Sequence, residues 1–411
     1  MATVLRTATR SRPFLLLGPA FVAAIAYVDP GNVAANLTAG ARYGYLLIWV
    51  LVMANLMAML VQYQSAKLGL VTGKSLPEVL GARLDTTGRR TFWVQAEIVA
   101  AATDVAEVVG GALALNLLFG LPLLVGGVIV GLVSMAILAV QSRHGQRTFE
   151  TVIIGLLAII AIGFVAGLFV SPVDWGGAAG GLLPRFGGSG TVLLAASMLG
   201  ATVMPHAIYL HSSLARDRFG ALSDDASKTR MIRDTRWDVG IALGVAGIVN
   251  IAMLLLAASS LNGVGGTDTI TGAHAAISAH LGPVIGVVFA IGLLASGLAS
   301  TSVGCYAGAV IMSGLLHIRI PLLARRALTL IPALVILGVG ADPTWALVLS
   351  QVVLSMGIPF ALIPLVRLTG DRRVMGAHVD AWWTRALAWT SAVLIVALNV
   401  FLIVLTATGK D

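Results

Sequence analysis

The sequence predicts an all-α polytopic membrane protein, and three observations carry that expectation. Of 411 residues, 58% are hydrophobic and only 11% charged, where soluble chains carry about 25% charged residues; mean hydropathy is +0.95. The apolar residues gather into runs long enough to cross about 30 Å of hydrocarbon. The Lys and Arg between those runs fall on one side.

The runs lie at 14–38, 45–66, 92–118, 122–141, 150–170, 190–214, 239–261, 283–315, 322–340, 344–366 and 386–407, so about eleven transmembrane helices are expected. The first follows a basic stretch, as a secretory signal would. It is longer than the about 7–15 apolar residues of a signal and holds Asp29, so it reads as an uncleaved helix. With the N-terminus inside, alternate loops collect Arg6, Arg10 and Arg12, then Lys67 to Arg90, Arg143 and Arg147, Arg216 to Arg236, Arg319 to Arg326, and Arg367 to Arg385. Of the 26 Lys and Arg, only Arg42, Arg185 and Lys410 are left outside, as the positive-inside rule requires. Adding or removing a span would scramble that segregation, so the chain is expected to run N-in, C-out. The net charge of +8 is then a topology signal with some attraction for anionic lipid, and no nucleic-acid partner is expected. Cys305, the sole cysteine, reads as a buried small residue.

Two of the spans are interrupted. Span 1 contains Asp29-Pro30-Gly31-Asn32, a turn sequence in a soluble chain but here an acid and two helix breakers at membrane depth. A carboxylate there costs from about 2.5 kcal/mol upward, so it faces a cavity, a partner or an ion. Pro30 has no N–H, which frees nearby carbonyls. Span 6 contains Gly200-Ala201-Thr202-Val203-Met204-Pro205-His206; alone it would pass for a proline kink. Spans 1 and 6 are five apart and enter the bilayer from opposite sides, as an inverted five-plus-five repeat requires. One transporter domain over 1–411 is expected, with repeats at about 14–170 and 190–366 and an extra helix at 386–407.

Asp29-Pro30-Gly31-Asn32 together with Met204-Pro205-His206 closely resembles the natural-resistance-associated macrophage protein (Nramp) family of divalent metal transporters. The likeness extends to Asp104 and Glu107 in span 3 and to the tenth-span stretch Ser350-Gln351 through Pro359-Phe360. It implies a LeuT-like fold with helices 1 and 6 broken, proton-coupled import of manganese or iron by alternating access, and a metal site between those helices. The length and span number look like those of a bacterial manganese importer.

The residues suit that chemistry. Asp29 offers an anionic oxygen and Asn32 a neutral one. Met204 offers a soft thioether, favouring Mn²⁺, Fe²⁺, Co²⁺ or Cd²⁺ over Ca²⁺ and Mg²⁺. Ala26 and Ala201 match positions whose carbonyls ligate metal in the resembled family. Gln351 reads either as a helix-to-helix hydrogen bond or, from the resemblance, as a ligand in some conformations. Glu97, Asp104 and Glu107 share one face of span 3, a proton-path candidate; an ion-pair network with Arg325 and Arg326 is the other reading, and the two are compatible. His206 and His211 follow the second break, where they either relay a proton or close a hydrogen-bond network. His274 and His280, in an outside loop at 262–281, could scavenge metal, but their six-residue separation is a weak signal and they read as solvated.

Three other functions are weighed. A symporter of an organic substrate would cradle a carboxylate with small, Gly-rich backbone, where this chain has Asp29 and Met204. A metal sensor would gain from a soluble signalling domain, and the longest inside loop is short. An intramembrane metalloenzyme would need a set such as His-Glu-x-x-His, which does not occur. The expected partners are divalent ions and protons in the inner-membrane bilayer. Mn²⁺ or Fe²⁺ is cargo and not a cofactor, and neither a cofactor nor an obligate protein partner is expected.

Overall fold

A computed structural model of the chain describes residues 18–220, 222, 224–267 and 269–408. Arg6, Arg10, Arg12, Lys410 and the first residues of span 1 lie outside them. Seventeen α-helices run in order: α1 (Pro19–Ile25), α2 (Pro30–Tyr43), α3 (Ile48–Thr72), α4 (Leu76–Arg83), α5 (Thr86–Phe119), α6 (Leu123–His144), α7 (Gln146–Val165), α8 (Trp175–Gly180), α9 (Ser189–Thr202), α10 (Pro205–Phe219), α11 (Asp225–Ser260), α12 (Ile270–Leu281), α13 (Pro283–Leu316), α14 (Leu322–Gly338), α15 (Pro343–Thr369), α16 (Arg372–Met375) and α17 (Trp382–Thr408). The all-helical membrane architecture is as expected, because only helices satisfy every backbone group within one segment in lipid.

Among the described residues, nine helical segments are long and apolar enough to cross a membrane. One of them, Pro30–Thr72, is 43 residues long and joins two of the expected spans through a turn at Gly44, whose φ is +57°. At 17 residues, α14 is a short crosser, and the first span is divided at Asp29. Eleven therefore stays an expectation of the sequence, while the bundle itself is plain.

The interrupted helices lie in the middle. α2 packs on α11, α10 on α3, and the long α13 along α5 and α7. Where lipid supplies no hydrophobic drive between helices, close approach through small residues does the work. Gly110 of α5 is such a point, since a Cβ there would fall on the Pro30 ring.

Prolines inside the spans set up a second organising feature. A proline withholds its N–H from the carbonyl four residues earlier, and an unpaired carbonyl is costly away from water. Pro359 orphans the carbonyl of Ser355, which accepts from Asn399 Nδ2 at 2.8 Å. Pro364 orphans that of Phe360, which accepts from the Tyr209 hydroxyl at 3.2 Å. α15 is thereby tied to α17 and α10 at its two proline steps.

The short α4 opens with a capping box: Ser75 Oγ accepts from Glu78 N, and Glu78 Oε2 accepts from Ser75 N at 2.7 Å. Glu78 also pairs with Arg216 of α10. Burial pushes its carboxyl up, but the Ser75 amide and the Arg216 charge outweigh that and hold it below the usual carboxylate range. Beside the pair, Ser212 Oγ accepts from Leu76 N at 2.8 Å, so α4 is latched to the end of α10.

The expectation of a solvated loop at 262–281 needs correction. α12 fills most of it, capped by Thr269, which accepts from Gly272 N at 3.0 Å. His274 is half-buried, its ring 6.2 Å from that of Phe289, whereas His280 is exposed. The apolar face of Ile270, Ala273, Ala276 and Ile277 folds the segment down onto α13.

Candidate metal site and charged network

Both breaks have the same local cause. Asp29 and Met204 each precede a proline, which disfavours helical backbone, and both are extended: φ −69°, ψ 167° and φ −75°, ψ 122°. The prolines then start α2 and α10 at the N1 position, where a missing N–H costs nothing. Thus the acid and the thioether become the N-caps of the two half-helices that follow the breaks, and both are fully buried.

The carbonyls on the other side of each break match as well. Pro30 is four residues after Ala26 and Pro205 four after Ala201, so neither carbonyl has an α-helical donor. Ala26 lies in the 3₁₀ turn Ala26–Val28. Ala201 O accepts from Asn32 Nδ2 at 2.7 Å, and that amide also donates to Asp29 Oδ1 at 2.8 Å. Asp29 Oδ1 accepts from Asn32 N at 2.8 Å, and Oδ2 from Gln351 Nε2 at 3.3 Å. Asp29, Asn32, Ala201 and Gln351 therefore form one hydrogen-bonded cluster across α2, α9 and α15. Met204 and Ala26 adjoin it along the chain, at the breaks themselves.

Gln351 reaches Asp29 only because residue 31 is glycine, since a Cβ there would overlap the Gln351 amide. Its Oε1 is buried with no hydrogen bond. The donor set of one carboxylate, amide and carbonyl oxygens and one thioether suits a divalent transition ion. Among the described residues no group of three or more His, Cys, Asp or Glu stands together as a metal cage.

The acidic face of α5 divides into pairs and one remainder. Glu97 pairs with Arg325 at 2.7 Å. Asp104 pairs with Arg326, which also donates through Nε to Ser134 Oγ at 2.7 Å, while Thr301 Oγ1 donates to Asp104 Oδ1 at 2.8 Å. Both arginine side chains are almost wholly buried, 4% and 0% exposed. Among the described residues Glu107 has no such partner: it is fully buried, and neither of its oxygens makes a well-formed hydrogen bond there. Toward the first break, Ser300 donates to Ser296 O at 2.7 Å and Ser296 donates to Val28 O at 2.6 Å.

His211 closes a hydrogen-bond network. Its Nδ1 meets Gln62 Oε1 at 2.8 Å, and Gln62 Nε2 donates to the Tyr27 hydroxyl at 2.6 Å. His206, in the first turn of α10, is buried, and among the described residues neither of its ring nitrogens is hydrogen-bonded.

Residues 20–405 match the model of the natural resistance-associated macrophage protein-like family. The chain belongs to this family. As an Nramp-family protein it is similar to the divalent metal cation transporter MntH of Mycobacterium tuberculosis strain H37Rv, 60% identical over 394 residues, 96% of this chain and 92% of that one. The MntH of Bacillus subtilis is 48% identical over 395 residues, 95% and 92% of the two chains. Among solved structures, a manganese transporter of Eremococcus coleocola superposes with TM-score 0.85 at 31% identity, covering 93% of this chain and 85% of that one. The transporters Mhp1 and MhsT, at 15% and 14% identity, superpose with TM-scores of 0.61 and 0.63 and bear out the fold class alone.

Several polar groups of this family member were not singled out from the sequence. Tyr27 and Gln62 form the line to His211. Asn250 donates to Tyr27 O at 2.7 Å and accepts from Asn36 at 2.9 Å, and Ser296 supports Val28. Their only signal was polarity inside an apolar run.

The Gly31 contact predicts a coupled pair of variants. Gly31→Ala should lower thermal stability in detergent by about 1–3 kcal/mol, the usual cost of overpacking, and adding Gln351→Ala should recover most of it. Additive losses in the double variant would show that the Gly31 contact with Gln351 does not determine the effect.

Proposed function

We propose that this chain imports Mn²⁺, and with it Fe²⁺ and other divalent transition-metal ions, coupled to protons by alternating access. What supports this most is the paired break: an acid and a thioether at the N-caps of two half-helices, beside two carbonyls that prolines deprive of a helical donor. Asp29 supplies the charge and Met204 the selectivity, with Asn32, Ala26, Ala201 and Gln351 completing the oxygen set. Asn32 turns its amide over to offer oxygen, because as placed it donates to both Asp29 and Ala201. A single carboxylate holds the ion loosely enough to release it, unlike a four-ligand structural site.

In this reading the N-terminus is inside and the C-terminus outside, the two repeats run over about 14–170 and 190–366, and 386–407 is an added helix. A potential of about 100 mV contributes roughly 4.6 kcal/mol to entry of a divalent cation, so protons serve to extend uptake to scarce metal or to reset the carrier. Glu107 carries the proton, since it lacks a cation beside it, whereas Glu97 and Asp104 are committed to Arg325 and Arg326. Those pairs line the proton's route, and His206 and His211, which follow the second break in α10, are its relay groups there.

Two outcomes are expected from purified protein in liposomes. Met204→Ala should still carry Mn²⁺ but lose about tenfold, roughly 1.4 kcal/mol, of its preference over Ca²⁺ in competition uptake; undiminished exclusion of Ca²⁺ would move selectivity to cavity size. Glu107→Gln should reduce acidification of an internal pH dye more than Mn²⁺ entry, whereas equal loss of both fluxes would make Glu107 a structural group.

A further inference from the structure

Away from the ion site, a surface cleft of about 480 Å³ lies between α3, α11 and the start of α17. Met59 and Leu60 give it an apolar wall, and Tyr63, Arg236 and Trp383 a polar and aromatic end. Its charges do not cancel. Lys67 lies 2.6 Å from Asp380, which also accepts from Gln64 at 2.7 Å, so that cation and that acid neutralise each other. Arg236 is exposed and has no acidic partner among the described residues. Its guanidinium is instead stacked 5.2 Å from the centre of the Tyr63 ring, with Nη2 3.4 Å from the Tyr63 hydroxyl.

Three tryptophans stand near that end of the cleft along α11 and α17: Trp237 is 70% exposed, Trp382 81% and Trp383 52%. Exposed tryptophans on membrane helices mark the headgroup level. The cleft thus combines an apolar groove, the depth of the bilayer interface and one positioned, unneutralised guanidinium, a group suited to binding a phosphate.

We propose that this cleft binds an anionic diacyl phospholipid, its phosphate on Arg236 and an acyl chain along Met59 and Leu60, so that the lipid bridges α3, α11 and α17. The proposal stands on the charge and depth of the cleft and does not depend on the metal reading. Under the N-inside orientation the cleft faces the inner leaflet, where anionic lipid attracts basic groups.

The test is native mass spectrometry and thermal unfolding of the full chain in detergent with added phosphatidylglycerol, phosphatidylcholine or inorganic phosphate. Phosphatidylglycerol should remain bound and raise the melting midpoint. Arg236→Gln should weaken that binding about fivefold, the worth of one cation near an anionic surface. Arg143→Gln, an exposed arginine at the end of α6, should leave it unchanged. Equal retention of phosphatidylcholine, a shift produced by phosphate alone, or the same affinity in Arg236→Gln would each overturn the proposal.

Discussion

A proline in the apolar middle of this bundle leaves a carbonyl without its helical donor, and something else must satisfy it. That constraint organises the structure around its breaks. Ser355 O and Phe360 O are answered by Asn399 and Tyr209, and Tyr27 O and Val28 O, beside the first break, by Asn250 and Ser296. Each answer ties one helix to another, so the prolines locate the crosslinks of the bundle. At Ala201 the answer comes from Asn32, whose amide also holds Asp29. That arrangement joins the two broken helices through groups suited to an ion.

The same constraint separates two kinds of buried charge. Arg325 and Arg326 are taken out of water at a cost of several kcal/mol each, offset only by their close carboxylates and added hydrogen bonds. Removing one partner of such a pair is therefore expensive. Glu107, three residues beyond Asp104 on the same helix, sits among serines and glycine instead. In the reading proposed above, that is why Glu107 and not its neighbours carries the proton.

The breaks were legible because they are local: a proline and its preceding residue announce their own backbone, and two such signals five spans apart specify a repeat. The candidate cluster of Asp29, Asn32, Ala201 and Gln351 followed from that register together with a family resemblance, and the arginines opposite Glu97 and Asp104 from charge balance. Tyr27, Gln62 and Asn250 were not legible, because their partners lie tens to hundreds of residues away and a lone amide in an apolar run names no partner. The α12 segment was misread for a related reason. The four residues of its buried face are too few to stand out, yet they suffice once α13 is there to receive them. The number of crossing segments was blurred by α14, which is short, and by the turn at Gly44, which leaves α2 and α3 nearly continuous.

The central claim is that one carboxylate at the first break supplies the charge that binds the ion. Asp29→Asn keeps the shape of the side chain while removing that charge, so titration calorimetry of Mn²⁺ into the purified variant tests it most directly. The account predicts that the binding heat falls below detection or that Kd rises by at least about tenfold, with the melting midpoint of the metal-free protein close to that of the parent. An unchanged Kd for Mn²⁺ would place the ion elsewhere and contradict the account.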